Sequence, residues 1–215
     1  MTGRKMELHQ KAVSASIVET DSGGFRGYAS RFLNIDRQGD MVLPGAFAKA
    51  LPQFMDDGGL VLADHDNRAG SVIGTLIDAK EDNTGLMVDV QFSATKAGQE
   101  VRRLMTEKAL RKMSISFYAK PARLNEKQVH GVWSNYGYRP DKRQMELAKS
   151  GAKMIGDVSE IIEVSVVPIP ANPEANILAV KSFDGEIETP LTVAPRIDLA
   201  ALARRANLAD KLLGR

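Results

Sequence analysis

Two segments of this 215-residue chain most constrain what it can fold into. Met113 to Ala119 alternates with a period of two, and Ile161 to Val167 is strongly β-branched, so both are predicted strands. Successive side chains in a strand face opposite ways. Alternation therefore sends Met113, Ile115 and Phe117 to an inner face, and Ser114 and Ser116 to an outer one. The same rule buries Ile162, Val164 and Val166, and turns Glu163 and Ser165 outward. A further strand is predicted over Leu60 to His65, where Leu60 and Leu62 mark the inner face and His65 falls on the outer. Three strands thus each present one triad-type residue on an outer face: His65, Ser114 and Glu163.

The remaining pattern is mixed and β-rich. Lys11 to Glu19 and Phe25 to Phe32 form a predicted strand pair around the turn Asp21-Ser22-Gly23-Gly24. Ser71 to Ala79 and Leu86 to Phe92, joined by Glu81-Asp82-Asn83-Thr84-Gly85, make the best hairpin in the chain. Phe47, Leu51 and Phe54 recur at helical spacing, with Pro52 expected to kink or end that helix. Thr95 can cap a second helix carrying Val101, Leu104 and Met105 and running to about Leu110. Residues Leu124 to Gly156 have no clean period. They hold the single Trp133 with Tyr136 and Tyr138, and are expected to be a long excursion with one short helix near Met145. Its aromatic residues suit either a substrate flap or a tolerated surface insertion. Ser182 to Pro195 is a linker, and Asp198 to Leu213 is Ala/Leu-rich and helical. The expected organisation is one domain over 11–181, with a linker and helical tail over 182–215.

Composition removes several chemistries. The chain contains no cysteine, so thiol nucleophiles, thiolate metal sites and disulfides are excluded. Its three histidines, His9, His65 and His130, lack ligand-like spacing, so no metal and no cofactor is expected. With 29 Lys and Arg against 27 Asp and Glu, the net charge is +2, which argues against a dedicated nucleic-acid binder. Arg102, Arg103, Lys108, Arg111 and Lys112 cluster before Ser114 and read best as a solvated helix face. No segment approaches the roughly 20 apolar residues of a membrane span, and the first ten residues lack a signal-peptide core, so cytosolic synthesis is expected.

The outward trio has a chemical logic. A serine hydroxyl becomes a good nucleophile when a base removes its proton. An imidazole can take that proton and return it to the leaving amine. A carboxylate on the other ring nitrogen fixes the tautomer, and the order His…Ser…Glu is permitted because such triads recur in different chain orders. Solvated strand serines and a loop-end histidine would give the same pattern.

Motifs strengthen the catalytic reading. Gly27-Tyr28-Ala29-Ser30, Gly39-Asp40-Met41-Val42, Pro44-Gly45-Ala46-Phe47, Asp64-His65-Asp66, Met113-Ser114-Ile115-Ser116-Phe117 and Glu163-Val164-Ser165-Val166-Val167 occur in that order. Pro170-Ala171-Asn172-Pro173-Glu174-Ala175 follows. Together, over about residues 25–180, they resemble the prohead (capsid maturation) proteases of tailed double-stranded DNA phages. The resemblance implies a serine endopeptidase with an α+β fold similar to the herpesvirus assemblins, a closed or nearly closed antiparallel β-barrel flanked by helices. It implies as substrates the major capsid protein's scaffolding region or a separate scaffold, and the protease itself by autocleavage. Work inside the procapsid in the host cytoplasm and a possible homodimer follow, with no membrane and no specific nucleic acid as partner. His65 matches the family histidine and Ser114 the nucleophile. Relatives often carry Gly two residues later, where this chain has Ser116. Glu160 and Glu163 both lie in the segment for the third member. Glu163 matches the motif and the outward parity, whereas Glu160 shares parity with Ile162. The competing class is a catalytically inactive assembly or scaffolding protein of the same fold. A small-ester hydrolase lacks its GxSxG elbow.

Overall fold

The computed structural model describes residues 7–14, 18–20 and 23–169. The predicted linker and tail helix lie outside them. The strands are β1 (Glu7–Ser14), β2 (Val18–Thr20), β3 (Gly24–Arg31), β4 (Asp40–Val42), β5 (Leu60–Ala63), β6 (Val72–Glu81), β7 (Gly85–Phe92), β8 (Lys112–Ala119), β9 (Ala122–Leu124), β10 (Ala152–Ile155) and β11 (Val158–Val167). The helices are α1 (Leu51–Asp56), α2 (Lys96–Thr106), α3 (Glu126–Tyr136) and α4 (Lys142–Ala148).

Eight strands form one sheet in the order β1-β8-β11-β5-β6-β7-β3-β2. Its neighbours are antiparallel except β5 and β11. The sheet curls until β1 and β8 approach β3, giving a half-barrel. No ladder closes it among the described residues, so the expected barrel is present in its curled rather than its closed form. Met113, Ile115 and Phe117 line the inside, fully buried as alternation predicts. Phe47 meets Phe117 edge-on at 5.5 Å between ring centroids, a favoured aromatic geometry. The helix α2 packs on β6 and β7, and α1 on β6 and β11.

The hairpin β6–β7 forms as predicted, and Asp82 explains its turn: Oδ1 accepts from the backbone N–H of Thr84 at 2.7 Å and of Gly85 at 3.0 Å. Thr95 caps α2 through the N–H of Gly98 at 3.2 Å. Other expectations need correction. The predicted Lys11–Glu19 strand divides, so that β1 pairs with β8 while only the short β2 pairs with β3. Pro52 does not interrupt a helix; it sits in the first turn of α1, where its missing N–H costs nothing. Helix α2 stops at Thr106, and Arg111 and Lys112 lie outside it, Lys112 opening β8.

The excursion is the largest revision. It holds two helices and the strand β10, which is parallel to β4 and antiparallel to β9 in a separate sheet. A capping box of Asn125 with Gln128 starts α3, left-handed Gly137 ends it, and Asp141 caps α4. Trp133 is 2 % exposed and its indole Nε1–H donates to the Leu33 carbonyl at 2.7 Å. Buried Gln144 both accepts from the Ile35 N–H at 2.6 Å and donates to its carbonyl at 3.0 Å. The segment is therefore fastened to the loop before β4, and its tryptophan is a core peg rather than an exposed flap. The neighbouring Pro44-Gly45 turn is fastened too. Gly45 has φ 88°, the left-handed value a Pro-Gly turn requires. Glu81 accepts from the N–H groups of Gly45 and Phe47, both at 2.8 Å.

Candidate active site

Strand β5 ends at Ala63, and the chain reverses at once. The Asp66 N–H donates to the Ala63 carbonyl at 3.1 Å, and the central residues Asp64 and His65 have φ values of 54° and 58°. Two positive φ values in succession mark a type I′ turn, and Asp and His are among the non-glycine residues that tolerate them best. The Asp64 N–H continues the parallel ladder by donating to the Val166 carbonyl at 2.9 Å. The turn then directs the His65 side chain back over β11. This differs from the predicted route, since His65 is no strand residue and Leu60, expected inside, is 36 % exposed. Beyond the turn, Asp66 is gripped by Arg68 and by the Ser71 hydroxyl at 2.6 Å. The guanidinium first, and then that hydroxyl, hold its carboxyl well below the usual carboxylate range.

Strand β11 reaches the site through a bulge. Ile161 pairs with Phe117, but the next pair is Glu163 with Ser116, so Ile162 is the extra residue. Ile161 consequently packs inside, Ile162 is 37 % exposed rather than buried, and Glu163 changes to the face of Ser114 and Ser116. A second irregularity lies between Val158 and Glu160 and pairs Glu160 with Tyr118. Simple parity therefore misplaces Glu160. It shares the face of Glu163, lies farther along the strand, and is exposed. The predicted outer face is not solvated at this point: Ser114, Ser116, Glu163 and Ser165 are all at most 4 % exposed.

The structure joins His65 to Glu163. The imidazole Nδ1 is 2.6 Å from Glu163 Oε1. Ser116 donates to the same Oε1, and its hydroxyl lies 3.2 Å from Nδ1. Ser165 donates to Glu163 Oε2 at 2.5 Å and accepts from the His65 backbone N–H at 3.1 Å. Ser114 stands opposite Ser165 in the β8–β11 register and beside Ala12 of β1. Its buried Oγ has no hydrogen-bond partner among the described residues. On the same face two positions earlier, burial pulls the Lys112 ammonium below the ordinary lysine range, and the charge of Arg111 adds to the effect.

This arrangement separates the two nitrogens of the ring. Glu163 and Ser116 occupy Nδ1, the position from which a carboxylate fixes tautomer and orientation, and Nε2 is left for proton transfer. The parts missed from sequence were the contacts of Ser116 and Ser165. Parity places both on the correct face, but only the ladder pairs 116–163 and 114–165 reveal what each touches. Away from the site, His130 packs edge-on against Trp133 at 5.5 Å between ring centroids and is 3.9 Å from Glu126, so it serves α3. The side chain of His9 is outside the description. Among the described residues no group of histidines and acids could hold a metal ion.

The family model for the caudovirus prohead serine proteases matches residues 11–187. The chain belongs to that family. A prohead protease of Enterobacteria phage HK97 is 29 % identical over 169 residues, covering 78 % of this chain. The chain spans 64 % of that relative's length. The solved bacteriophage T4 capsid assembly protease shares the fold, with a TM-score of 0.56 over 77 % of this chain and 99 % of its own, at 9 % identity. A curled sheet with helices, bearing the motif residues on β8, on β11 and in the turn after β5, is thus the prohead-protease scaffold in this chain. No helix among the described residues is long and apolar enough to cross a membrane.

Proposed function

We propose that the chain is a serine endopeptidase that cleaves a phage scaffold, or the scaffolding region of the major capsid protein, and itself during procapsid maturation. One observation carries the assignment of roles: Glu163 holds His65 by Nδ1 at 2.6 Å, which leaves Nε2 as the base. Ser116 shares the Nδ1 end and donates its proton to the carboxylate, so it is committed to orientation. Ser114 retains an uncommitted hydroxyl on the same face and is the nucleophile.

In the reaction, Ser114 Oγ attacks the scissile carbonyl as its proton passes to His65 Nε2. The tetrahedral intermediate collapses when the imidazolium returns that proton to the leaving amine. Water then repeats the sequence on the acyl-enzyme. Glu163 remains a carboxylate throughout and stabilises the imidazolium. The protease domain is assigned to 11–181, with 182–215 a linker and tail, acting in the host cytoplasm inside the procapsid.

The test is co-expression of the full chain with its capsid protein, as wild type and as Ser114→Ala, followed by intact-mass measurement. Trimming by wild type alone supports the proposal. Identical trimming by both forms removes Ser114 from its role, and no trimming by either favours an inactive assembly protein.

A further inference from the structure

A buried serine with both its hydrogen-bonding functions committed to catalytic positions stands beside the proposed triad. Ser165 is fully buried in β11. Its hydroxyl proton goes to Glu163 Oε2 at 2.5 Å, and its oxygen accepts the His65 backbone N–H at 3.1 Å. We infer that Ser165 is a positioning residue that registers the histidine turn against the orienting carboxylate. The inference rests on the roles assigned above to His65 and Glu163.

The argument is geometric. Glu163 and Ser165 are two apart and share a face, so the glutamate must lie along the strand to reach the end where His65 enters. A glutamate has three rotatable side-chain bonds, and contacts to Oε1 alone leave its carboxylate plane free to turn. The Ser165 proton on Oε2 fixes that plane. The other half of the problem is His65, whose left-handed backbone conformation is unfavourable for a residue with a Cβ. Its N–H points at Ser165 because the turn holds that conformation. One hydroxyl thus ties the acid and the backbone of the base to a common point on β11, while the Asp64 N–H on the Val166 carbonyl provides the adjacent tether. A hydrogen bond to a charged group such as this carboxylate is typically worth about ten- to a hundredfold in rate.

Two readouts on the purified full chain test this. The first is the rate at which a fluorophosphonate probe labels Ser114, followed by intact mass. Ser165→Ala is expected to remain folded at the assay temperature and to label about ten- to a hundredfold more slowly than wild type, with Ser165→Thr recovering most of the rate. The second is the downfield proton resonance of the His65 ring N–H, identified by its loss in His65→Gln. Ser165→Ala should broaden or abolish it. If alanine unfolds the protein, Ser165→Cys, similar in size and a weak donor, takes its place. Wild-type labelling rates in a folded Ser165→Ala protein would overturn the inference, as would an unchanged ring N–H resonance. Failure of wild type to label at Ser114 would instead defeat the proposed function, and the resonance would still decide the positioning role.

Discussion

Replacing Glu163 by Gln keeps the size of the side chain and removes its charge. The present carboxylate receives three donors: the His65 ring N–H and the Ser116 hydroxyl on Oε1, and the Ser165 hydroxyl on Oε2. An amide offers one acceptor oxygen and one NH₂. If the NH₂ faces His65, two donors oppose each other and the ring must change tautomer, so Nε2 carries a proton and cannot act as base. Amide replacement of a triad carboxylate with that result lowers kcat about 10⁴-fold. If the NH₂ instead faces Ser165, which already accepts from the His65 N–H, the tautomer survives. Only the charge opposite the imidazolium is then lost, a penalty of about 10²-fold. The expected fall is therefore about 10²–10⁴, equivalent to about 2.7–5.4 kcal/mol of transition-state stabilisation at 1.36 kcal/mol per tenfold. Single-turnover cleavage of capsid protein by Glu163→Gln measures it, with Glu160→Gln as control. Glu160 is exposed and should be replaceable with less than a threefold effect. Loss of activity in Glu160→Gln with near-normal rates in Glu163→Gln would refute the reasoning about the β11 bulge.

Ser114→Ala should abolish cleavage, by about 10⁴-fold or more, whereas Ser116→Ala should cost about ten- to a hundredfold through the lost bond to the carboxylate; the same mass assay ranks them. Trp133→Phe removes the donor to the Leu33 carbonyl and leaves a void in the core. Urea unfolding should show a loss of about 2–4 kcal/mol while the kcat of the folded fraction stays near that of wild type. Burial raises the Glu81 carboxyl above its ordinary 4.5, against the pull of the Phe47 and Gly45 N–H groups. A folded value above the unfolded one contributes stability that is complete below 4.5 and disappears as pH rises through the folded value. The stability of wild type relative to Glu81→Gln should accordingly decline with rising pH across that interval, as read from urea midpoints; a rising difference would contradict the burial argument.

The legible parts of this molecule were those governed by local chemistry. The β6–β7 hairpin was readable because Asp82 makes its own turn, and α2 because Thr95 caps an amphipathic stretch. Alternation on β8 held residue by residue, with Met113, Ile115 and Phe117 inside and both serines on the other face. It failed at β11 because a period of two has no means of marking an extra residue, and Ile162 is one; it failed at β5 because Val61 and Leu62 are both buried and the strand ends before His65. Glu163 nevertheless belonged on the site face, since the bulge lies before it. The excursion hid its helices because few of their residues are buried: Val129 and Trp133 in α3, Gln144 and Ala148 in α4. With so little apolar periodicity, the better signals were the caps Asn125, Gly137 and Asp141.

The strand order has a consequence for how the site comes into being. Strand β11 is the last of the described strands in sequence, yet it sits between β8 and β5. Without it the large sheet is two pieces, β1 with β8 on one side and β5-β6-β7-β3-β2 on the other. Ser114 and Ser116 belong to the first piece and His65 to the second, while Glu163 and Ser165 arrive with the joining strand. During synthesis on the ribosome, every residue up to 157 can emerge without a working centre existing. The same insertion that completes the sheet brings His65, Glu163 and the two serines of β8 together, so under the proposed roles a nascent or partly folded chain carries the parts of the centre without its assembly.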